Sequence, residues 1–302
     1  MDRDLLHHLP VVAAVARLRS FAAAAAELGL GASAVSHSVR LVETRLRLPI
    51  FARTTRNVAL TEAGAAFLAE AGPALDRITE AVEATQALKG RVTGTLRINA
   101  PRAAIAMVLT QLLAALGERH PDLVVEVTSD DDFVDIVGEG YDAGIRLGEA
   151  IHEDMIAVRL TPPFRFIVVA APAYLAARGE PGSIADLAAH NCIGYRQVSR
   201  GGAYPWELAD NGREVAVAVT GTARVTDPFF AVNLALAGVG LAYVLEPMVR
   251  QHIRSGALRW VLPDAAVEEH GLFLYFPPRQ AETPKLRAFI DTARQLQVAG
   301  SA

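Results

Sequence analysis

The stretch SFAAAAAELGLGASAVSHSVRLVETRL, residues 20–46, decides the fold of the amino-terminal part of the chain. It predicts a short alanine-rich helix, a tight turn and a second helix with two different faces. Apolar residues recur at helical spacing on the second helix and are predicted to turn inward: Val35, Val39, Val42 and Leu46. The opposite face is polar and cationic: Ser33, Ser36, His37, Arg40 and Thr44. This pattern predicts a helix-turn-helix in which the second helix, here called the reader helix, contacts base edges and phosphates.

The next segment strengthens this interpretation. In LPIFARTTRNVALTEAG, residues 48–64, Phe51 is predicted to enter the core, and a two-stranded tip is predicted to end at Asn57. The tip forms a wing beside the reader helix, and its polar residues suit a phosphate backbone: Arg53, Thr54, Thr55 and Arg56. The alternative is a pair of packed helices with a solvated outer face, because helix pairs are common.

Several linked segments together resemble one family. Residues 5–90 are similar to the amino-terminal part of LysR-type transcriptional regulators, since SFAAAAAEL, AVSHSVRLVE and LPIFARTTRNVALTEAG occur in that family's order and spacing. The resemblance implies DNA contacts from a set of residues on the reader helix and wing: Ser33, Ala34, Ser36, His37, Arg40, Arg53, Thr54 and Arg56. Two places depart from the family pattern. Gly31 and Ala32 stand where the family has Ser or Thr and then Gln, and Arg47 replaces a Gly, which puts the DNA contacts and the turn there in question.

Composition sets the limits for the rest of the chain. A length of 302 residues allows two or three domains, and no stretch of about 20 residues is free of charge, so no membrane span is expected. Residues 1–60 hold eight arginines against four acidic residues, a net charge of +4 in a chain with an overall charge of -4. The start lacks the pattern of a signal peptide and there is one cysteine, so we expect a cytoplasmic protein.

A long helix is predicted over residues 61–88. Its apolar residues alternate steps of three and four, as in a coiled coil: Leu68, Ala71, Leu75, Ile78, Val82 and Thr85. We expect the same helix of a second chain to cover this seam in a homodimer or homotetramer, with packing against the helix's own domain as the alternative. The sequence therefore divides into a DNA-binding domain over 1–60, a linker helix and hinge over 61–91, and a third domain over 92–302.

The third domain alternates strands and helices. From Thr95 the pattern predicts a parallel α/β sheet with helices on both faces, including a helix over 103–117 and a short one over FVDIVGEG, residues 133–140. A second run of the same kind begins at 165, and GLFLYFP with a closing helix over 284–297 returns to the first sheet. This arrangement predicts two lobes, I (92–162 and 266–302) and II (163–265), with a cleft between them. It resembles the effector-binding domain of the same family, which has the fold of type 2 periplasmic binding proteins.

Candidate ligand contacts lie at the predicted strand ends: Ala100, Pro101, Arg102, Arg146, Gly148, Arg196, Ser199, Thr226 and Phe229. Three of them are arginines, which predicts a small organic anion as the effector. The alternative is that each arginine is an exposed charge or pairs with a local carboxylate such as Asp142 or Asp227.

The remaining signals point away from catalysis. The sequence has no phosphate loop, metal-ligand cluster or nucleophile elbow, so we expect no cofactor, no metal and no enzyme. Cys192 is predicted to be a small core residue, and GAYPWEL at 202–208 either covers an apolar ligand or packs against its lobe. A solute-binding protein and a transferase with the two-lobed fold are the competing functions, but the predicted wing and the missing export signal oppose the first of them.

Overall fold

A computed structural model describes residues 3–53, 58–88, 90–132, 134–148, 151–196 and 202–300, without the side chains of residues 3, 4, 53 and 298–300. The chain forms two compact units, Met1–Arg91 and Val92–Ala302. No helix in the described ranges is long and apolar enough to cross a membrane.

The first unit contains four helices and a two-stranded hairpin within its described residues: α1 (Arg3–Leu18), α2 (Phe21–Glu27), α3 (Ala32–Leu46), β1 (Phe51–Arg53), β2 (Val58–Leu60) and α4 (Glu62–Ala87). Ser20 caps α2 by accepting a hydrogen bond from the Ala23 N–H at 3.2 Å, which satisfies one free donor of the first turn. Thr61 caps α4 in the same way through the Gly64 N–H, at 2.9 Å. These caps fix where the two helices begin.

The core of the first unit is built from the apolar stripes of its helices. Val12, Val15 and Ile50 are at most 1% exposed, and they lie with the inward valines of α3 in one hydrophobic cluster. The amino-terminal half of the α4 seam also packs on this cluster through Leu68 and Leu75. The carboxyl-terminal half does not, because Ile78 is 62% and Val82 is 54% exposed. The alternative of packing within its own domain therefore describes only the first half of the seam.

The second unit contains two sheets. The elements of lobe I are β3 (Gly94–Ala100), α5 (Arg102–Ala104), α6 (Thr110–Arg119), β4 (Leu123–Ser129), β5 (Ala143–Leu147), β6 (Ile156–Arg159), β16 (Leu272–Phe276) and α10 (Pro284–Gly300). Its sheet has the order β4-β3-β5-β16-β6. The returning strand β16 lies between β5 and β6, which confirms that GLFLYFP rejoins the first sheet.

Lobe II is formed by the chain between the two crossings. Its elements are β7 (Phe164–Ala170), α7 (Pro172–Arg178), β8 (Cys192–Arg196), β9 (Ala203–Tyr204), β10 (Trp206–Asp210), β11 (Arg213–Val217), β12 (Arg224–Val225), α8 (Pro228–Leu236), β13 (Leu241–Leu245), α9 (Glu246–Arg254), β14 (Arg259–Val261) and β15 (Val267–Glu269). Its sheet follows the path β12-β8-β13-β7-β14, with β9 added to β8 and β15 to β7, while β10 and β11 form a separate hairpin. The predicted two-lobed α/β architecture is confirmed, but β15, which the prediction placed in lobe I, pairs with β7 in lobe II.

Two local predictions are wrong, and a third element differs in detail. Both sheets are mixed, because β16 is antiparallel to β5 and β6, and β13 is antiparallel to β7. The helix predicted over 133–140 is absent from its described part, where residues 136–140 form turns. There the Asp135 carboxylate accepts the N–H groups of Val137 and Gly138 at 3.2 and 3.0 Å, as a helix N-cap does, but the turn that follows does not continue as a helix. The helix predicted over 103–117 exists, but Ile105–Leu109 between α5 and α6 is a π-helical turn.

Candidate nucleic-acid interface and ligand cleft

The reader helix α3 has the two faces that the sequence predicts. Its inward residues Val35, Val39 and Val42 are fully buried. On the other side Ser33, Ala34, His37 and Arg40 are exposed and Ser36 is half-buried. The Thr44 hydroxyl donates to the Arg40 carbonyl at 2.7 Å, so its hydrogen is used in a bond within the helix. The exposed surface therefore offers small polar groups and one guanidinium, while the valines fix the helix to the core.

Polar contacts that the sequence did not reveal position the reader helix. On its inner side, Ser38 is 6% exposed, and its hydroxyl lies 3.0 Å from the His8 Nδ1 atom of α1. At its end, one carboxylate oxygen of Glu43 accepts the N–H groups of Ile50 and Phe51 at 2.9 and 3.2 Å. The only sequence signal for the second contact was a carboxylate on α3 a few residues before the turn. Glu43 ties the start of the hairpin to the reader helix.

The predicted wing is a hairpin in the structure. β1 and β2 pair antiparallel with Phe51 opposite Leu60 and Arg53 opposite Val58. Phe51 is 5% exposed and packs edge-on against the Phe21 ring at 5.9 Å between centroids, which confirms its predicted core position. Arg53 ends β1, and Thr54, Thr55, Arg56 and Asn57 lie outside the described residues.

The two departures from the family pattern have structural counterparts. Gly31 is the N-cap of α3 and makes no side-chain capping bond, and Ala32 is the first helical residue. The hydroxyl and amide implied by the resemblance are therefore missing from the start of the reader helix. Arg47 ends α3 in the left-handed conformation, with φ 58° and ψ 27°, and its N–H donates to the Glu43 carbonyl. The turn thus keeps the backbone geometry that a glycine would adopt.

We expect Arg47→Gly to stabilise the first unit by up to about 1 kcal/mol, because a left-handed conformation is costly for a residue with a Cβ atom. The same change should lower the slope of DNA affinity against salt by roughly 1 if the guanidinium contacts a phosphate. Denaturant unfolding and salt titrations measure the two effects. Arg47→Asn is the matched variant, since asparagine tolerates this conformation without carrying charge. Destabilisation by Arg47→Gly would contradict the strain argument.

In the second unit, Asp131, which follows β4, contacts both lobes. Its carboxylate accepts the Arg102 N–H at 2.9 Å and the Arg102 Nη1 group at 2.6 Å, both within lobe I. It also accepts the Tyr195 hydroxyl of lobe II at 3.1 Å. Arg102 Nη1 further donates to the Thr226 carbonyl of lobe II at 3.3 Å. We call these four contacts the Asp131 bridge.

The electrostatics of the Asp131 bridge follow from its hydrogen bonds. The hydrogen bond that Arg102 donates to Asp131 raises the pKa of Arg102, so this group stays a cation. Burial, followed by the charge of Asp131, raises the pKa of Tyr195, so its hydroxyl remains a donor. Of the two alternatives for the arginines, pairing with a local carboxylate describes Arg102, with Asp131 as the partner. Asp142 is instead bound by Lys285 at 2.9 Å.

Arg146 is a buried cation with neutral partners. It is 6% exposed and donates to the Ile145 carbonyl at 2.8 Å and to Asn99 Oδ1 and the Asp132 carbonyl, each at 2.6 Å. Burial lowers the pKa of the Arg146 guanidinium. Arg146 thus connects β5, β3 and the segment after β4 within lobe I.

The other predicted ligand contacts lie in different surroundings. Ala100 is fully buried in the lobe I core, and Pro101 caps the helix that follows. A Cβ atom on Gly148 would lie 2.8 Å from the Phe273 ring, so this position is closely packed. Arg196 is exposed at the end of β8, and Phe229 is half-buried near the start of α8, which Asp227 caps. Ser199 lies outside the described residues. Arg102 and Thr226 are the predicted contacts that a direct bond brings together.

The aromatic segment at 202–208 packs on its own lobe. Trp206 is 1% exposed and stacks on Tyr243 at 5.6 Å between ring centroids, and the Tyr204 hydroxyl donates to Glu207. Cys192 is fully buried, as expected of a core residue, and burial raises the pKa of its thiol to about 11. Within the described ranges, no three His, Cys, Asp or Glu side chains are grouped to hold a metal ion.

Comparisons with known proteins found one family model for each of two parts of the chain. A family model described as bacterial regulatory helix-turn-helix protein, lysR family, matches residues 6–65, and one described as LysR substrate binding domain matches residues 89–297. The chain is 40% identical over 288 residues to the uncharacterized HTH-type transcriptional regulator YcaN of Escherichia coli K12, with 95% of this chain and 94% of the relative covered. It is 35% identical to HTH-type transcriptional regulator PgrR of the same organism, with 96% and 97% covered.

A solved structure gives the same result for the fold. CrgA of Neisseria meningitidis, a LysR-type transcriptional regulator, superposes with a TM-score of 0.61 at 27% identity, covering 96% of this chain and 98% of CrgA. The relatives are transcriptional regulators rather than enzymes. With a helix-turn-helix in one unit and a two-lobed effector-binding domain in the other, the chain belongs to the LysR family of bacterial transcriptional regulators.

Proposed function

We propose that this regulator binds promoter DNA as a dimer or tetramer in the cytoplasm, and that a small organic anion between its lobes changes its affinity for the operator. The observation that carries the DNA part is the exposed polar face of α3, which lies opposite three fully buried valines. Since the buried face holds the helix to the core, the other face is free to enter a major groove.

Different side chains of this module have different tasks in the proposal. His37 and Arg40 project from the reader helix and suit base edges, since histidine donates or accepts and arginine offers two parallel donors. Ser33, Ala34 and Ser36 are small enough to allow close approach of the helix. Arg53, Thr54 and Arg56 of the wing suit phosphates, which carry no sequence information.

Four alanine variants test the DNA-binding proposal. Arg53→Ala and Arg56→Ala should weaken binding to every sequence alike and lower the salt slope by roughly 1 each, because each removes a phosphate contact. His37→Ala and Arg40→Ala should relax sequence preference at defined base pairs by about 1–3 kcal/mol. Titrations of operator and random DNA at several salt concentrations measure both effects.

The matched control for these variants is Arg213→Ala. Arg213 begins β11 in the second unit and is exposed, so this change removes the same charge far along the chain from the reader helix. If all four variants bound operator and random DNA as Arg213→Ala does, the assignment of α3 and the wing to DNA would be wrong.

Oligomerisation through α4 is supported by the apolar residues in its carboxyl-terminal half. Ile78 and Val82 are separated by one helical turn and more than half exposed. α4 has 26 residues and is about 40 Å long, and a helix of this length with an uncovered apolar stripe is unfavourable in water. The same stripe of a second chain is the complementary surface, as in a coiled coil.

The effector proposal rests on Arg102, which contacts both lobes. A carboxylate bound to this guanidinium and to lobe II would have a different affinity for the closed and open arrangements. Only this difference in affinity can shift the equilibrium between them. Typical coupling energies would then change operator affinity by roughly 5- to 150-fold.

A further inference from the structure

The position at Arg102 where an anion would bind already holds a carboxylate. Asp131 accepts two hydrogen bonds from Arg102, at 2.9 Å from the backbone N–H and 2.6 Å from Nη1. These are a cationic donor and a neutral donor that converge on one anion, as they would on a ligand. The third bond, from the Tyr195 hydroxyl at 3.1 Å, comes from the other lobe.

We propose that Asp131 is an internal ligand of the cleft, whose carboxylate holds the two lobes together in the absence of effector and has to leave Arg102 before an anionic effector can bind there. This inference deepens the proposed function and rests on it only for the identity of the competitor. The holding of the lobes by Asp131 stands on the contacts alone.

The charges around Arg102 indicate that one effector carboxylate would have to replace the carboxylate of Asp131. Asp131 and Asp227 are the carboxylates whose charges act on Arg102, and Asp227 is occupied in capping α8 through the Phe229 N–H at 2.8 Å. The buried cation Arg146 donates to three oxygen acceptors within lobe I, and its Nε atom is buried without a hydrogen-bond partner among the described residues. An effector carboxylate beside Arg102 would therefore face a like charge unless Asp131 moved away.

This arrangement has a consequence for affinity. Since the effector binds only the fraction of molecules in which Asp131 has left Arg102, its apparent dissociation constant rises by the inverse of that fraction. Removing the charge of Asp131 should strengthen the binding of carboxylates while it weakens the closure of the lobes in their absence. These opposite changes distinguish an internal ligand from a residue that merely stabilises lobe I.

Interlobe distances in the full-length chain test the first half of the proposal. Nitroxide labels on Glu139→Cys of lobe I and Asn233→Cys of lobe II, both exposed positions, report the distance by pulsed electron spin resonance, with excess unlabelled chain to suppress pairs between molecules. Cys192 is fully buried and stays unlabelled. We expect Asp131→Asn and Tyr195→Phe each to raise the ratio of open to closed lobes by roughly 3- to 10-fold, because each weakens or removes the hydrogen bond between Tyr195 and Asp131.

Asp130→Asn is the matched control. It removes the same charge one position earlier, and the Asp130 Oδ1 atom accepts the Asp132 N–H at 3.0 Å, a bond that asparagine can also accept. The control should keep the parent distance distribution. If Asp131→Asn and Tyr195→Phe also kept it, the lobes would not be held by Asp131 and the proposal would be overturned.

The second half of the proposal, in which an anionic effector competes with Asp131 for Arg102, is tested in thermal shift titrations. The probes are succinate and its neutral diamide, succinamide. We expect succinate to bind Asp131→Asn at least roughly 10-fold more tightly than the parent or Asp130→Asn, with no gain for succinamide. Equal responses of all three chains to succinate, including no response from any of them, would overturn the competition. Operator binding by the same preparations is a separate readout, so failure here is distinguishable from failure of the regulator proposal.

Discussion

Replacing Ile78 and Val82 together with aspartate is expected to separate the proposed oligomer and to weaken operator binding by roughly 100- to 10,000-fold. Both side chains are exposed in the single chain, so the charges do not disturb the core of the first unit. In the oligomer they would bring four carboxylates into an apolar seam, where unpaired charge is strongly unfavourable. Without the partner helix, two reader helices no longer bind their half-sites as one rigid pair, and the gain from linked binding is lost.

Sedimentation measures the mass of the species, and titration of a two-half-site operator measures binding. The matched control replaces Ala69 and Ala84 with aspartate, since both are exposed and lie on the opposite side of α4 by helical periodicity. It adds the same charge to the same helix and should leave mass and binding close to those of the parent. Unchanged mass and affinity for the Ile78 and Val82 variant would remove the α4 interface. Leu75 is unsuitable for this test because it packs on the first unit's own core.

Gly64→Ala is expected to destabilise the first unit by about 3 kcal/mol. DNA binding should therefore be abolished under conditions near the midpoint of the parent's unfolding transition. Gly64 is buried in the first turn of α4, and a Cβ atom there would lie 2.1 Å from the carbonyl oxygen of Ile50. That oxygen already accepts the Thr61 N–H at 2.9 Å, so the clash involves backbone on both sides and no side chain can rotate to relieve it. Relief requires moving the start of α4 away from the residue that leads into the hairpin.

Gly72→Ala provides the control on the same helix. Among the described residues, nothing outside its own stretch of helix lies within 4 Å of a Cβ atom built on Gly72, so the added methyl group meets no other element. Alanine should leave the stability within about 1 kcal/mol of the parent, because its higher helix propensity is opposed by the contact of its Cβ atom with the ring of Pro73. Thermal or denaturant unfolding followed by a signal from the first unit compares the two changes. Equal stability of the Gly64→Ala and Gly72→Ala variants would refute the close-packing argument.

The fold could be predicted where apolar residues follow a clear pattern along the sequence. The spacing of Val35, Val39 and Val42 fixed the inner face of α3, and the apolar run GLFLYFP indicated a strand that returns to lobe I. The helix predicted over 133–140 was wrong, since Asp135 caps a turn over 136–140 that does not continue as a helix. The π-helical turn at Ile105–Leu109 was missed because its residues are the same types that form an ordinary α-helix.

The candidate sites were predicted less completely than the fold. Arg102 was found from its place after a strand, but its partner Asp131 lies 29 positions further along the chain, and Tyr195, which donates to Asp131, lies 93 positions further, so no local pattern connects them. Arg146 and Arg102 looked equivalent in the sequence, yet one is buried against carbonyls and the other joins two lobes. Hydrogen-bond partners across elements depend on packing, which spacing along one element does not encode.

The position of β16 between β5 and β6 also determines the order in which the two lobes can fold during synthesis. Both strands pair with β16 and are not neighbours in the sheet, so the lobe I sheet is incomplete until residue 276 has left the ribosome. Lobe II is an unbroken insertion, and all of its strands have by then been made. Since domains fold largely as they emerge, lobe II should reach its native state first, while β5 and β6 wait with unpaired edges that are open to wrong pairing. A nascent chain that stops before β16 should therefore need protection by chaperones even though more than four-fifths of its residues are present.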